Sequence, residues 1–395
     1  NKKSTFGHDL SARLEIGDVN HPMLNLDLDG QLPLTLLNLV ASPSLEVESG
    51  KADFDHFRLH HFDWRGDVIQ QWLKSSKPDF TIEDLKCTYL GNKIICTSGT
   101  IHSSGEGAAQ FEVKDLGWNK AAARAVKGEI KNASPDQWDF SFGGEMSGGK
   151  IESKGFIRLT NQSYVWQADW TIKDVDMRDV MTSFSDFDQT FITAENLSGK
   201  ADIWATTTIP MDPSWKIQTK QVFAEAALDI RDGQIKNLKT LEDFSKYVHI
   251  EDLRDIRFSE LRNYLKIENG QVFLPVMFIQ SSAMNLSISG VHAFDQKILY
   301  NLKINAGQTL ANKFRKTDFR KEMKPARKSG WINLYFVLEG STTDVKYQQY
   351  RQAVLSGFEQ SAKLKETLRK SLVDRFGYDV YWLEPNEWEE IPEYK

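Results

Sequence analysis

The sequence predicts a mainly β protein built on a long antiparallel β-sheet, with short helical inserts and a C-terminal α-helix. Two observations predict this class. Many short segments alternate apolar and polar residues, and Gly- or Asn-containing turns separate them. Side chains on a strand change face at every residue, so each such segment puts one apolar row on one side of a sheet. Successive strands without long helices between them favour a meandering antiparallel arrangement.

The alternation is clearest in residues 221–305. Three predicted strands there carry apolar rows: Val272, Leu274, Val276 and Phe278; Met284, Leu286 and Ile288; and Ile298, Tyr300, Leu302 and Ile304. On the last two strands the other side carries Ala283, Asn285, Ser287, Ser289, Asn301 and Lys303. These mostly polar residues predict a face turned to water. The pattern alone leaves open whether the apolar face is ordinary core, closed by a second sheet, or an exposed lane.

The remaining elements follow from the same reasoning. Further strands are predicted at residues 24–30, 51–64, 109–114, 122–130, 138–142, 150–159, 164–172, 201–209, 222–230 and 331–340. Short helices are predicted at residues 32–40, 67–74, 174–187 and 241–248. A long helix is predicted over residues 345–376, ending at Gly377, a residue type favoured just after a helix. This helix could lie on a membrane surface, but docking on its own sheet or on a partner is favoured.

Composition sets limits on function. The chain has 395 residues, 40% apolar and 26% charged, with a net charge of −6. This balance is typical of a globular protein and gives no reason to expect nucleic-acid binding. No apolar run approaches the ~20 residues that a membrane-spanning helix needs. The chain begins at Asn1 and shows no signal peptide, which indicates a fragment or a mature form of something longer.

Two cysteines lie in one predicted hairpin. With Gly91-Asn92 as a two-residue turn, Leu90 pairs with Lys93 and Cys87 with Cys96, in a non-hydrogen-bonded site. The Cα atoms of such a pair approach to ~4.5 Å, within disulfide range. A Cys87–Cys96 disulfide would favour an oxidising compartment such as a periplasm. The alternative is two half-buried thiols that merely face each other.

No catalytic motif is present, and the sequence indicates a non-enzymatic protein without a cofactor. Walker A, GxSxG, HExxH and paired CxxC patterns are all missing. His56, His60 and His61 are the best metal-ligand candidates, but His56 and His60 would lie roughly 13 Å apart on a strand. Surface histidines are therefore favoured over a metal site. Asp27 and Asp29 share a strand face and are interpreted as its solvated side.

The last part of the chain differs in composition. Residues 313–328 are rich in Lys and Arg, and residues 379–395 are acidic and aromatic. The basic stretch is interpreted as a solvated linker, with contact to anionic lipid or to a protein partner as the alternative. Residues 313–395 are accordingly the expected site for envelope protein partners.

Residues 174–341 resemble the C-terminal region of AsmA-like proteins, a periplasmic family that includes TamB-type relatives. The resemblance rests on five segments: DVDMRDV at 174–180, AENLSGKA at 194–201, DGQI at 232–235, NGQV at 269–272 and QSSAMNLSISG at 280–290. Residues 1–173 look like more β material with less specific motifs. The chain is thus divided into a β-rich groove segment at 1–173, the AsmA-like region at 174–341, and a helix and tail at 342–395.

The resemblance implies a long curved antiparallel sheet that forms an open groove, or half-pipe, in the periplasm. It further implies an N-terminal inner-membrane helix that is missing from this sequence. The expected function is non-enzymatic phospholipid transport and outer-membrane maintenance, with phospholipid or another acyl lipid as the ligand. The expected groove-lining residues are Val222, Ala224, Leu228, Ile230, Leu274, Val276, Phe278, Met284, Leu286, Ile288, Ile298, Tyr300 and Leu302. The alternative function is a structural or scaffolding subunit of an outer-membrane-associated assembly.

Overall fold

A computed structural model gives the fold of most of the chain. It describes residues 11–16, 23–39, 45–63, 76–77, 79–105, 107–160, 163–188, 192–213, 215–237, 254–281, 285–305, 333–341 and 344–379. The chain divides into two compact units. The first comprises residues 1–146, 150–168 and 210–217, and the second comprises residues 147–149, 169–209 and 218–395.

The first unit is a meander of antiparallel strands. Its strands are β1 (Ser11–Ile16), β2 (Met23–Pro33), β3 (Leu45–Asp63), β4 (Ser76–Lys77), β5 (Phe80–Tyr89), β6 (Asn92–Gly105), β7 (Ala108–Trp118), β8 (Ala121–Ser134), β9 (Gln137–Met146) and most of β10 (Gly149–Leu159). Pairing follows chain order from β1 to β9, except that β3 pairs with both β4 and β5.

A short 3-10 helix, Leu34–Leu39, covers part of this meander where the sequence predicts a helix. Leu34 packs with Val47, Ala52 and Cys87 in a buried cluster. Asn38 holds the helix to β3, because its amide donates to the carbonyl of Val47 and its Oδ1 accepts from the N–H of Val47, both at 2.8 Å. The register shifts just after Val47, so this side chain satisfies backbone groups beside an irregular point in the ladder.

The second unit is also an antiparallel meander, and it carries the two α-helices found among the described residues. Strand β11 (Tyr164–Asp176) and strand β12 (Leu197–Met211) contribute residues to both units. The later strands are β13 (Phe223–Lys236), β14 (Asp255–Glu268), β15 (Gln271–Gln280), β16 (Asn285–Ala293), β17 (Lys297–Asn305), β18 (Asn333–Ser341) and β19 (Asp344–Gln349). The helices are α1 (Met177–Ser183) and α2 (Arg351–Phe376). Each strand from β12 to β19 pairs with the next.

The mainly β class, the antiparallel pairing and the C-terminal helix predicted from the sequence are confirmed. Helix α2 begins six residues later than predicted, at Arg351, because residues 344–349 form β19 against β18. It ends as predicted at Gly377, whose φ of +67° places it in the left-handed region that glycine adopts without strain. The predicted helices at 67–74 and 241–248, the whole basic stretch at 313–328, and all of the acidic tail except Asp379 lie outside the described residues.

Helix α1 falls within the predicted insert at 174–187. Asp176 caps it, because its carboxylate accepts from the backbone N–H of Arg178 at 2.9 Å and of Asp179 at 3.2 Å. Met177, Val180 and Met181 are its buried residues, and the first two pack against Val175, Ala201 and Ile230 of neighbouring strands. The 3-10 turn Ser185–Asp188 follows directly.

The predicted cysteine pairing is wrong. The β5–β6 turn is centred on Leu90 and Gly91, both with positive φ, rather than on Gly91 and Asn92. This one-residue shift of the turn places Cys87 opposite Ile94 and Cys96 opposite Leu85. Both cysteines are free thiols with buried side chains, and burial raises the pKa of each thiol.

We therefore expect two free thiols per chain without any reductant. Unfolding the protein in guanidinium chloride should expose both to a thiol reagent such as DTNB, whereas the native protein should react slowly because only a small fraction of each thiol is ionised and accessible. Finding thiols only after treatment with a reductant would contradict the observed register and support the predicted Cys87–Cys96 disulfide.

Candidate functional site

One side of the second unit's sheet, from β15 to β19, is apolar. Its buried members are Leu286, Ile298, Tyr300, Leu302, Ile304, Phe336 and Leu338, and its half-buried members are Leu274, Ile279, Ile288, Leu334, Val345 and Tyr347. The strand register aligns them in rows, with Ile288 opposite Leu302 and Leu302 opposite Phe336. We call this set of thirteen residues the apolar face. It contains six of the predicted lining residues: Leu274, Leu286, Ile288, Ile298, Tyr300 and Leu302.

A β-bulge in β15 removes Val276 from this face. The register with β16 shifts between Leu274 and Met277, so alternation restarts on the opposite side. Ile279 thus joins the apolar face, while Val276 packs against helix α2 and Phe278 follows Val276 on that side. The prediction that Val276 and Phe278 share a row with Leu274 is therefore wrong. Pro275 sits at the bulge, where a residue without an N–H can be placed in a sheet without breaking a ladder bond.

Side chains satisfy the backbone groups that the bulge releases. Ser361 accepts from the N–H of Val276 at 3.1 Å, and the ammonium of Lys365 donates to the carbonyl of Val276 at 2.5 Å. Asn263 of β14 donates to the carbonyl of Pro275 at 2.9 Å. Lys365 has no exposed surface, so helix α2 places a fully buried amino group at this contact. Because a buried unpaired backbone group costs about 1–3 kcal/mol, these bonds make the bulge and the helix depend on each other.

Helix α2 packs on the side of the sheet opposite the apolar face, and we call that side the helix-covered face. Val354 and Phe358 are buried against Val276, with Tyr335 and Val337 beside them. Each fully buried side chain of this size contributes about 1.5–3 kcal/mol. Gly357 lets the helix come close to β17, since a Cβ there would lie 2.3 Å from the amide nitrogen of Asn301.

The polar residues expected to face water lie instead beneath this helix. Asn285, Ser287, Ser289 and Lys303 are between 0% and 3% exposed. The sequence predicted that these polar residues face water. Alternation shows which residues share a face of a strand, but it does not show what covers that face. The docking of α2, favoured from the sequence over a membrane surface, is what the structure shows.

The second half of α2 covers β12 to β14. Leu368 and Leu372 are buried against Trp204, Ala227 and Tyr264. Just after the helix, the ring of Tyr378 stacks on that of Trp204 with centroids 3.3 Å apart, and its hydroxyl donates to Asp229 at 3.3 Å. The ammonium of Lys173 lies 3.4 Å from the centroid of the Trp204 ring, as in a cation–π contact.

A charged group borders this aromatic contact. The carboxylate of Asp202 lies 3.2 Å from the guanidinium of Arg231 and 3.4 Å from the ammonium of Lys173. Burial alone would raise the pKa of Asp202, but hydrogen bonds from Arg231 and from the backbone N–H of Asp174, together with the charge of Lys173, outweigh it, so the pKa lies below its ordinary value. A second ion pair joins the carboxylate of Asp229 to the guanidinium of Arg262 at 3.2 Å. Because each of these carboxylates is paired with a Lys or Arg of a neighbouring strand, we interpret the charged groups as contacts that stabilise the helix-covered face.

The remaining predicted lining residues lie outside the apolar face. Ile230 belongs to a buried cluster with Val175, Val180 and Phe258, and Ile279 of the apolar face packs against this cluster too. Ala224 is buried and Leu228 half-buried on β13, and half-buried Val222 ends the short 3-10 helix Thr219–Gln221 before that strand. Met284 lies outside the described residues.

Sequence reasoning left Ile279, Ile304, Phe336 and Leu338 out of the lining. Pro275 was the available signal for Ile279, because proline inside a predicted strand indicates a bulge.

The apolar face contains two tyrosines, Tyr300 and Tyr347, and Tyr300 is the buried one. It is 8% exposed, and burial raises its pKa to about 12.

Comparison with known proteins identifies no relative: no family model, curated protein or solved structure matches the chain. Among the described residues, none of the helices is both long and apolar enough to cross a bilayer.

The contact between Ser361 and the bulge can be tested with Ser361→Ala. We expect this substitution to lower the free energy of unfolding by about 1–3 kcal/mol, because the N–H of Val276 becomes a buried unsatisfied donor. Ser356→Ala is the matched control, since Ser356 is exposed on the same helix and gains the same helix propensity. Equal stability of the two variants, measured by urea denaturation, would show that the bulge does not depend on this hydroxyl.

The pKa of Tyr300 predicts a loss of stability at high pH. The unfolded chain ionises this phenol near pH 10 and the native protein only near pH 12. Stability from this group is therefore complete below pH 10 and is lost as the pH rises through 12, by about 1 kcal/mol at pH 11. Tyr300→Phe should show a smaller fall between pH 9 and pH 11 in urea denaturation than either the parent protein or Tyr350→Phe, a control at a 54% exposed position. An unchanged fall in Tyr300→Phe would contradict this assignment.

Proposed function

We propose that this chain is a non-enzymatic AsmA-like envelope protein whose apolar face binds the acyl chains of phospholipids. In this role it contributes to phospholipid transport and outer-membrane maintenance. Two independent lines support the proposal. The sequence segments within 174–290 resemble the AsmA-like family, and the apolar face runs over five consecutive strands of the sheet in that region and just after it.

The observation that carries the proposal is the asymmetry of the two sides of the sheet. The chain's own helix α2 covers the polar side with buried contacts from Val354 to Leu372. The proposed ligand contacts the apolar side, where Leu274, Ile288 and Leu334 are half-buried and keep part of their surface accessible, while the seven buried members are 0–9% exposed. An apolar ligand is the kind that gains most from such a surface.

Acyl chains suit this face in both energy and geometry. Ladder hydrogen bonds satisfy the strand backbone, so the side-chain surface can be wholly apolar without unpaired amides. Each CH₂ group that leaves water for this surface gains about 0.8 kcal/mol. Rows of similar aliphatic side chains give a ligand similar affinity at successive positions, which favours sliding along the sheet over trapping at one point.

A periplasmic location with an inner-membrane anchor is part of the proposal. It is supported by the family resemblance alone, because the free thiols of Cys87 and Cys96 remove the argument from a disulfide.

A scaffolding subunit of an outer-membrane-associated assembly is the second candidate. The observation that favours it is a pair of exposed aromatic rings in the turn after α1. Phe184 and Phe187 are 45% and 59% exposed and stack with centroids 5.5 Å apart. Exposed aromatic pairs are typical anchors of protein–protein contacts.

Lipidomics of the purified protein tests the lipid proposal. The chain should be isolated from the envelope fraction of a Gram-negative host and its bound lipids quantified by mass spectrometry. We expect phospholipid to co-purify, and Ile288→Gln with Leu334→Gln to lower the lipid-to-protein ratio at least about threefold by placing amides in the acyl path.

Leu299→Gln is the matched control for this experiment. Leu299 lies on β17 between Ile298 and Tyr300, points to the other side by alternation and is 46% exposed. Its substitution should leave the lipid content unchanged. A lipid-free protein tightly bound to a defined protein complex would instead establish the scaffold function. Lipid binding that survives both face substitutions in a folded protein would refute the apolar face as the binding surface.

A further inference from the structure

A cluster of three potential metal ligands lies in the first unit. Asp29 of β2 and Asp55 and His56 of β3 place two carboxylate oxygens and an imidazole nitrogen within 4.8 Å of one another. All three residues are exposed. The closest measured pair is Nδ1 of His56 and Oδ1 of Asp29, at 3.8 Å.

A β-bulge brings these side chains together. Leu28 pairs with Phe57 and Gly30 with Phe54, so Asp55 and His56 both stand opposite the single residue Asp29. A regular strand would send two consecutive side chains to opposite faces, whereas a bulge re-aims one of them. His56 has a φ of +52°, a left-handed conformation that is uncommon for a residue with a side chain. This convergence explains why spacing along the strand, which separated His56 from His60, could not identify the cluster.

The charges around the cluster favour a cation. The neighbouring carboxylates have other partners: Asp27 lies 4.0 Å from Arg58, and Asp53 accepts from the amide of Gln31 at 3.1 Å. Within the described part of the chain, Asp29 and Asp55 have no Lys or Arg within ion-pair distance, and His56 is the one basic group beside them. Two carboxylates that face each other without a cation repel, and a bound divalent ion would remove that repulsion.

The donor set indicates which ion fits. One imidazole nitrogen and two carboxylate oxygens are ligands of Zn²⁺ and of other first-row divalent ions, whereas Ca²⁺ prefers six to eight oxygen ligands. A tetrahedral ion with bonds of ~2.0–2.2 Å holds its ligand atoms roughly 3.4 Å apart. The three side chains are exposed, so rotation of these side chains is the movement that this closer spacing would require. The remaining coordination positions would go to water.

We propose that Asp29, Asp55 and His56 form a binding site for a first-row divalent transition-metal ion, with Zn²⁺ as the best-fitting probe. The ion ties β2 to β3 at the bulge.

Isothermal titration of the full chain with ZnCl₂, after removal of metals with EDTA, tests the site. We expect one Zn²⁺ per chain, and CaCl₂ should give no comparable binding. Asp29→Asn and His56→Gln should each weaken Zn²⁺ binding at least about tenfold, since losing a direct ligand costs no less than losing a residue that orients one. Zn²⁺ should also raise the thermal unfolding midpoint of the parent protein but not of these variants, because it crosslinks two strands.

Two controls separate this site from general surface binding. Asp27→Asn removes a carboxylate two residues from Asp29, and His102→Gln removes a second exposed histidine, whose Nδ1 lies 3.5 Å from Asp79. Both variants should bind Zn²⁺ like the parent protein. Circular dichroism should show that every variant is folded. The proposal is overturned if Zn²⁺ does not bind stoichiometrically, or if binding survives Asp29→Asn and His56→Gln in folded protein.

Discussion

The contact between helix α2 and the bulge at Pro275–Val276 determines the character of both sides of the second unit's sheet. The bulge reverses the alternation of β15, so that Ile279 faces one way and Val276 the other. It also frees backbone groups of Val276, which the helix satisfies through Ser361 and Lys365. The ladder is thus interrupted at the bulge that holds Pro275, and a helix far along the chain satisfies the backbone groups left without ladder bonds.

Because helix α2 covers one side of the sheet, several polar residues of that side are buried rather than exposed. Ser287 and Ser289 are small and polar, yet they are among the most buried residues of the unit. On β16, the small side chains of Ser287 and Ser289 lie on the helix-covered face, while the larger Leu286 and Ile288 of the same strand lie on the apolar face. Gly357 on the helix allows a similarly close approach to β17. The packing therefore follows side-chain size as much as hydrophobicity.

Local sequence patterns predicted the positions of strands and helices well, but they predicted poorly which residues are buried and which residues pair. The 2-residue period placed most strands, and Gly377 marked the end of the helix, because both signals are encoded within a few residues. The rows of β16 and β17 were also correct, with Leu286, Ile298 and Leu302 on one face. The covering of Asn285 depends on a helix more than sixty residues later, which no local pattern encodes. The partner of Cys87 depended on whether the β5–β6 turn is centred on Leu90-Gly91, as in the structure, or on Gly91-Asn92, as predicted. This one-residue difference changed every residue pair between the two strands.

The late position of α2 in the chain has a consequence for the order of folding. Its contacts join residues far apart in sequence: Val276 and Ser361 are 85 positions apart, Glu225 and Ser371 are 146, and Asp229 and Tyr378 are 149. Contacts of such separation form slowly because a long loop must close first. During synthesis, the strands from β13 to β18 emerge before the residues that complete their buried polar side. The nascent sheet thus remains without its final layer until Ser361 and Lys365 have left the ribosome, and this interval is when it would be most exposed to aggregation and most dependent on chaperones.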